Sequence, residues 1–254
     1  MNLLLPGIAA AYLLTFARVG TLIMLMPGLG EQSVSPRLRL AFALLVSLVL
    51  FPTVRPLLAL GDGALAGPRV IGLLFGETLV GLILGLTVRM ILAALQTAGV
   101  IVSQQLGLSY AMTVDPTMGG QQAALGNFLS LLGITLIFAS DLHHLALEAI
   151  GRSYVVLPPD GVPGFSDAAM LALKAVGRGF TLAVQISSPF IAFGILFNLG
   201  LGVLSRLMPQ LQVFFVAVPA SILIGMLILF GSLGVMMGVF LDDLGRYLGD
   251  YVGR

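Results

Sequence analysis

Four stretches of this chain, residues 90–114, 116–140, 179–205 and 207–241, contain no Asp, Glu, Lys or Arg. About 20 apolar residues are enough for a helix to cross the hydrocarbon core of a bilayer, so each of these runs is long enough to span. Of the 254 residues, 58% are hydrophobic and only 9% are charged, against roughly 25% charged in an ordinary soluble domain. Such a chain cannot cover a soluble surface. The reading is an all-α integral membrane protein of about six long, kinked apolar helices.

The formal net charge of +1 supplies neither a basic nor an acidic face, and nucleic-acid binding, which needs clustered Lys and Arg, is not expected. There is no cysteine, so stability must come from packing rather than disulfides or a thiolate metal site. Residues 3–26 carry Arg18 as their one charge and lack both the basic start and the small-residue cleavage pattern of a secretory signal. They are expected to be a retained span.

Polar breaks and Pro/Gly clusters punctuate the chain, placing apolar segments near 3–26, 38–58, 70–103, 122–150, 168–205 and 211–241. Between them lie Pro27-Gly28-Leu29-Gly30, Gly61-Asp62-Gly63, Asp115-Pro116 with Gly119-Gly120, and Pro158-Pro159-Asp160-Gly161 with Pro163-Gly164. None of these connectors can hold a separate domain, so residues 1–254 are read as one. The third and fifth segments exceed a simple span at 1.5 Å per residue and must tilt, kink or project. Pro189 and Pro219 fall inside the fifth and sixth, where each removes a backbone hydrogen bond and favours a bend. Gly72/Gly76, Gly81/Gly85 and Gly234/Gly238 have the spacing that lets helix backbones approach in lipid. Counting Lys and Arg on alternate connectors, a simple six-crossing chain places both termini in the cytoplasm.

Three charges interrupt apolar segments: Arg18, Glu77 and Arg89. Each costs about 2.5–3.5 kcal/mol at the bilayer centre on insertion scales, so each should face protein or water. Pairing with neighbouring subunits or anchoring at an interface is favoured over lining a pathway. A catalytic reading starts from Asp141, His143, His144 and Glu148, because His144 and Glu148 share a helix face. No HExxH and no patterned third ligand accompanies them, so an interfacial role is favoured and no metal is assigned. Neither a nucleophile elbow, a P-loop nor a dinucleotide fingerprint is present, and the chain is read as non-enzymatic, without cofactor. The connector 104–122 is too apolar for a solvated loop. Irregular backbone at membrane depth is tolerated only when packed in protein or lining a cavity, which suits either a loop on its own helices or a deformable gasket in a pore.

The string Asn198-Leu-Gly-Leu-Gly-Val-Leu-Ser-Arg-Leu-Met-Pro-Gln-Leu-Gln-Val-Phe214, together with Gln104-Gln105-Leu106-Gly107-Leu108-Ser109, Val114-Asp115-Pro116, Gly30-Glu31-Gln32-Ser33-Val34-Ser35-Pro36 and Pro52, resembles the FliR family of flagellar type III export-gate proteins. The related SctT family of injectisomes shares the Arg-x-x-Pro-Gln and Val-Asp-Pro patterns. The resemblance runs the length of the chain. It implies one copy in a helical hetero-oligomeric gate with FliP and FliQ, alongside FlhB and other export components, in the inner membrane at the flagellar basal body. It also implies that unfolded flagellar substrates pass through the pore, that residues 1–175 are FliP-like, and that 176–254 form a FliQ-like helical hairpin hinged at Arg206, Pro209 and Gln210. The connector is implied to plug the closed pore, through Gly107, Leu108, Ser109, Tyr110, Met112, Val114, Asp115, Pro116, Met118, Gly119 and Gly120. Where family plugs often carry phenylalanine, this chain has Tyr110 and Met112. The rival readings are an injectisome gate subunit, a small-solute secondary transporter with paired broken helices, and an intramembrane metalloenzyme using His143 or His144.

Overall fold

The computed structural model describes residues 4–26, 28, 30, 34–58, 68–108, 120–159, 165–208 and 213–252. Within them run seven α-helices: α1 (Leu4–Leu25), α2 (Pro36–Val54), α3 (Pro68–Gln105), α4 (Gly120–Ala139), α5 (Leu142–Val156), α6 (Phe165–Leu207) and α7 (Val213–Val252). There is no strand among the described residues, as the charge-free runs require, because a helix satisfies its own backbone in lipid. Five of the helices are long and apolar enough to cross a membrane, or six if the bent α4–α5 pair counts as one broken span. At 1.5 Å per residue, α6 is about 65 Å long and extends well beyond a ~30 Å hydrocarbon core.

Two boundaries differ from the sequence expectation. The segment expected at 122–150 breaks after Ala139, and Asp141 takes a left-handed backbone with φ 58°, a conformation that Asp tolerates better than most residues. The segment expected to end at 241 continues to Val252. Its last turns put Leu244 and Leu248 inside and leave Asp242, Arg246 and Asp250 exposed, an amphipathic period that a search for charge-free runs passes over. Pro189 and Pro219 both lie inside uninterrupted helices. The Gln185 carbonyl, which Pro189 deprives of its usual donor, accepts a hydrogen bond from Ser188 Oγ at 2.8 Å.

The chain folds into two compact units. The first comprises Met1–Ile91, Phe138–Gly177 and Leu244–Arg254. Here α1 packs along α2. The Tyr12 ring meets Phe51 edge-on at 5.8 Å, and its hydroxyl donates to Leu44 O at 3.1 Å. Ala11, Leu14, Val54, Leu58 and Tyr154 form a buried cluster beside them. Ser35 caps α2, accepting the Leu38 N–H at 3.4 Å, with Pro36 in the first turn, the favoured chemistry of a helix start. α3 lies against α1 at Gly81, where a Cβ would strike the Arg18 backbone, and at Gly85, where it would come within 2.8 Å of Leu25 Cβ.

The second unit comprises Leu92–Ile137 and Arg178–Asp243. In it α3 and α4 cross at Gly99 and Gly126 so closely that a Cβ on Gly99 would overlap the Gly126 backbone. α6 and α7 form a hairpin clamped far from its turn by Arg178. The Arg178 Nε–H and Nη2–H groups donate to the Asp243 carboxylate at 3.0–3.2 Å, and Nη2 also reaches Asp243 O at 3.0 Å. Of the apolar windows, only 17% of α2, 11% of α6 and 22% of α7 is buried in the chain, against 56% of α3. Lipid or other chains must therefore cover most of α2, α6 and α7. Of the three glycine pairs expected to pack, Gly81/Gly85 does so within the chain, whereas Gly72, Gly234 and Gly238 face open space.

Leucine at position 99 should force α3 and α4 apart and cost about 1–3 kcal/mol or more, as overpacking does. Gly72→Ala should be neutral. Thermal melting of the two variants in detergent distinguishes these outcomes.

Candidate functional site

Arg18 lies in the middle of α1, the one charge in a largely apolar helix, and it is fully buried, as is Glu77 of α3 at 2% exposure. The guanidinium has five N–H donors, and the structure provides five contacts for them. Nε donates to Glu77 Oε2 at 2.6 Å and Nη2 to Glu77 Oε1 at 2.8 Å, a bidentate pairing. Nη2 also donates to Leu157 O at 2.9 Å, and Nη1 donates to Ser153 O at 3.0 Å and approaches Ser153 Oγ at 3.4 Å. The Tyr154 ring lies 4.0 Å below the guanidinium carbon, and the Tyr154 hydroxyl donates to Thr15 O at 3.3 Å. Ser153 and Leu157 supply the carbonyls at the end of α5, where a cation is favoured by the helix dipole. One side chain thus ties α1, α3 and α5 together. Partners expected in neighbouring subunits are instead found within the chain for both Arg18 and Glu77. Arg89 differs, being exposed on α3, and no side chain among the described residues pairs with it.

The second feature is the root of the connector. α3 ends in a Schellman-type cap. Gly107 has φ 76°, the Leu108 N–H reaches back to Ser103 O at 3.1 Å, and the Gly107 N–H reaches Gln104 O at 3.1 Å. Gly107 and Leu108, expected in a plug, are therefore part of the α3 terminus. That terminus is wedged into the α6/α7 hairpin. Gln105 occupies the space a Cβ on Gly194 would need, Leu106 occupies that of Gly225, and Ser221 Oγ donates to Leu106 O at 3.0 Å. Beside the wedge is an open cleft of about 350 Å³ lined by Gln104, Gln105, Phe197, Asn198, Ser205 and Ser221. No sequence signal pointed to this anchoring, although the α3 glycine cap itself was readable.

Residues 109–119, including Ser109, Tyr110, Met112, Val114, Asp115, Pro116, Met118 and Gly119, lie outside the described residues, as do Pro209 and Gln210. Gly120 begins α4, and Arg206 is exposed in the last turn of α6. His144 is brought together with Asp141 and His143 rather than with Glu148.

Glu77→Gln should destabilise the protein by about 3–5 kcal/mol, because removing one partner leaves a buried charge uncompensated. Replacing Arg18 by Met and Glu77 by Leu together should cost less than the sum of the single changes. Denaturation of all four proteins in detergent measures this coupling, and strict additivity would rule it out.

The chain matches the bacterial export proteins, family 1, over residues 9–247. It is 42% identical over 236 residues to the flagellar biosynthetic protein FliR of Caulobacter vibrioides, covering 90% of both chains. It is 32% identical over 234 residues to FliR of Bacillus subtilis, covering 90% of this chain and 88% of that one. The surface presentation of antigens protein SpaR of Shigella flexneri is 26% identical over 215 residues, covering 85% and 82%. With a family match across nearly the whole chain and relatives of this identity and coverage, the chain belongs to the bacterial export proteins, family 1, the family of FliR.

Proposed function

We propose that this chain is a non-enzymatic subunit of a flagellar type III export gate, helping to form a protein-conducting pore with FliP and FliQ in the inner membrane. The observation that carries the conduit reading is the outward face of α3. In its first half the exposed residues are largely apolar: Ile71, Phe75 and Leu82. Towards the connector they are mostly polar, Arg89, Gln96, Thr97 and Gln104, with Val100 the apolar exception. A guanidinium and two amides on the open side of a spanning helix are poorly suited to lipid, and intramembrane polar groups characteristically face water-filled paths or partner chains. That polar face leads to the residues 109–119, which in this reading close the pore when no substrate is passing, while the α6/α7 hairpin holds their root.

The same face would suit an injectisome gate, and SpaR is a relative. The higher identity to FliR proteins favours the flagellar assignment. FlhB and other export components are the further partners of this reading, and energy for export comes from them.

Deleting the gene in its source bacterium should abolish hook and filament protein in the culture medium, and this chain should restore both. Intact secretion and swimming would overturn the flagellar assignment. Shortening residues 112–119 should raise ion leakage and slow growth. A leak-free strain with normal export would exclude the plug.

A further inference from the structure

Away from Arg18 and from the connector, three potential ligands converge at the break between α4 and α5. One carboxylate oxygen of Asp141 and one ring nitrogen each of His143 and His144 lie within 4.8 Å of one another. His144 Nδ1 is 3.6 Å from Asp141 Oδ1, close to the ~3.4 Å that separates two ligands held about 2.1 Å from one tetrahedral zinc. The two imidazoles are 4.0 Å apart between centroids, with their planes inclined at 37°. The left-handed backbone at Asp141 carries the carboxylate back over the first turn of α5.

A second observation comes from His143. Its Nδ1 is shut off from solvent yet has no hydrogen-bond partner among the described residues, an arrangement that is costly when nothing offsets it. Asp141 and His144 remain open to solvent, at 77% and 70% side-chain exposure. An ion can therefore reach the group, and water can complete its shell.

We propose that Asp141, His143 and His144 form a binding site for a borderline divalent transition-metal cation, with Zn²⁺ the representative ion. Two imidazoles and one carboxylate suit Zn²⁺, Ni²⁺ or Cu²⁺ and discriminate against Mg²⁺ and Ca²⁺, which favour all-oxygen shells. A cation at a helix N-terminus opposes the dipole, and the Asp141 charge counters that. Because Asp141 precedes the first residue of α5 and both histidines lie in its first turn, the bound ion fastens the chain break to the helix that follows it. The ion would stabilise that turn and take no part in catalysis.

The test uses the full chain, purified without a histidine tag and held in detergent micelles. Titration with Co²⁺ should produce the visible absorption of a tetrahedral nitrogen and oxygen site. Zn²⁺ should abolish that absorption and excess Mg²⁺ should not. Outer-shell changes alone weaken metal sites by about 10–100-fold, so His144→Ala should weaken binding at least tenfold. Asp141→Asn, which keeps a residue tolerant of the left-handed backbone, should do likewise, and Glu148→Gln should leave binding unchanged. Circular dichroism confirms that each variant is folded, and His144→Gln replaces the alanine variant if it is not. Absence of the Co²⁺ spectrum, or binding by the His144 and Asp141 variants as tight as by the unsubstituted chain, would overturn the proposal.

Discussion

A guanidinium placed in an apolar helix has to find an acceptor for each of five N–H groups, because neither lipid nor a dry core supplies any. In this chain that requirement is met by Glu77 on α3 together with the carbonyls of Ser153 and Leu157 and the Ser153 hydroxyl. The arrangement cannot form unless three segments distant in sequence arrive together, which makes it a device for specifying one packing. Replacing such a pair with apolar groups is often neutral or stabilising in energy. Its value here is positional: α1 is held at a fixed rotation against α3, and Gly81 allows the Arg18 backbone to come close enough for the side chain to reach.

The cost of irregular backbone exposed to lipid explains much of what could be read in advance. Long apolar runs have one economical solution in a membrane, and the six apolar segments read from the sequence overlap all seven helices, the fourth being divided between α4 and α5. What escaped reading depends on contacts between distant residues or on local backbone geometry. The break at Ser140–Asp141 divides the segment read at 122–150 at the polar group Asp141, His143 and His144, which reads in sequence as interfacial and not as a chain break. Arg18 and Glu77 are 59 positions apart, and nothing in either neighbourhood names the other. The continuation of α7 to Val252 needed a helical period rather than a run of apolar residues. For residues 109–119 apolar composition suggests either a packed loop or a gasket, and the resemblance adds the expectation of a plug.

Glycine serves two different ends. At Gly81, Gly99, Gly194 and Gly225 the missing side chain is space already occupied by a neighbouring backbone or side chain of this chain. At Gly72, Gly151, Gly177, Gly200, Gly202, Gly231, Gly234 and Gly238 nothing lies within 4 Å of where a Cβ would stand. Most of this second group lies on α6 and α7, which bury little of themselves in the chain. Small residues on an apolar outer face let another helix approach closely, so these positions favour covering by protein along with lipid, consistent with membership of an export complex.

A solute transporter would distribute its irregular helices differently. Such proteins place their substrate between two matched discontinuous helices near the bilayer midplane. Among the described residues one span is broken, at α4–α5, and the two proline-bearing helices run on without interruption, one of them helped by Ser188. The polar groups of α3 form a graded face along one long helix rather than a closed pocket at mid-depth. In the proposed conduit such a face would meet a moving chain at successive points without retaining it, since amides and a guanidinium offer hydrogen bonds to any peptide backbone. Retention would require a concave, fully enclosed site, and the cleft beside Gln104 and Asn198 is open. What the geometry itself fixes is the end of α3 at Gly107, held against the α6/α7 hairpin by Ser221, Gly194 and Gly225.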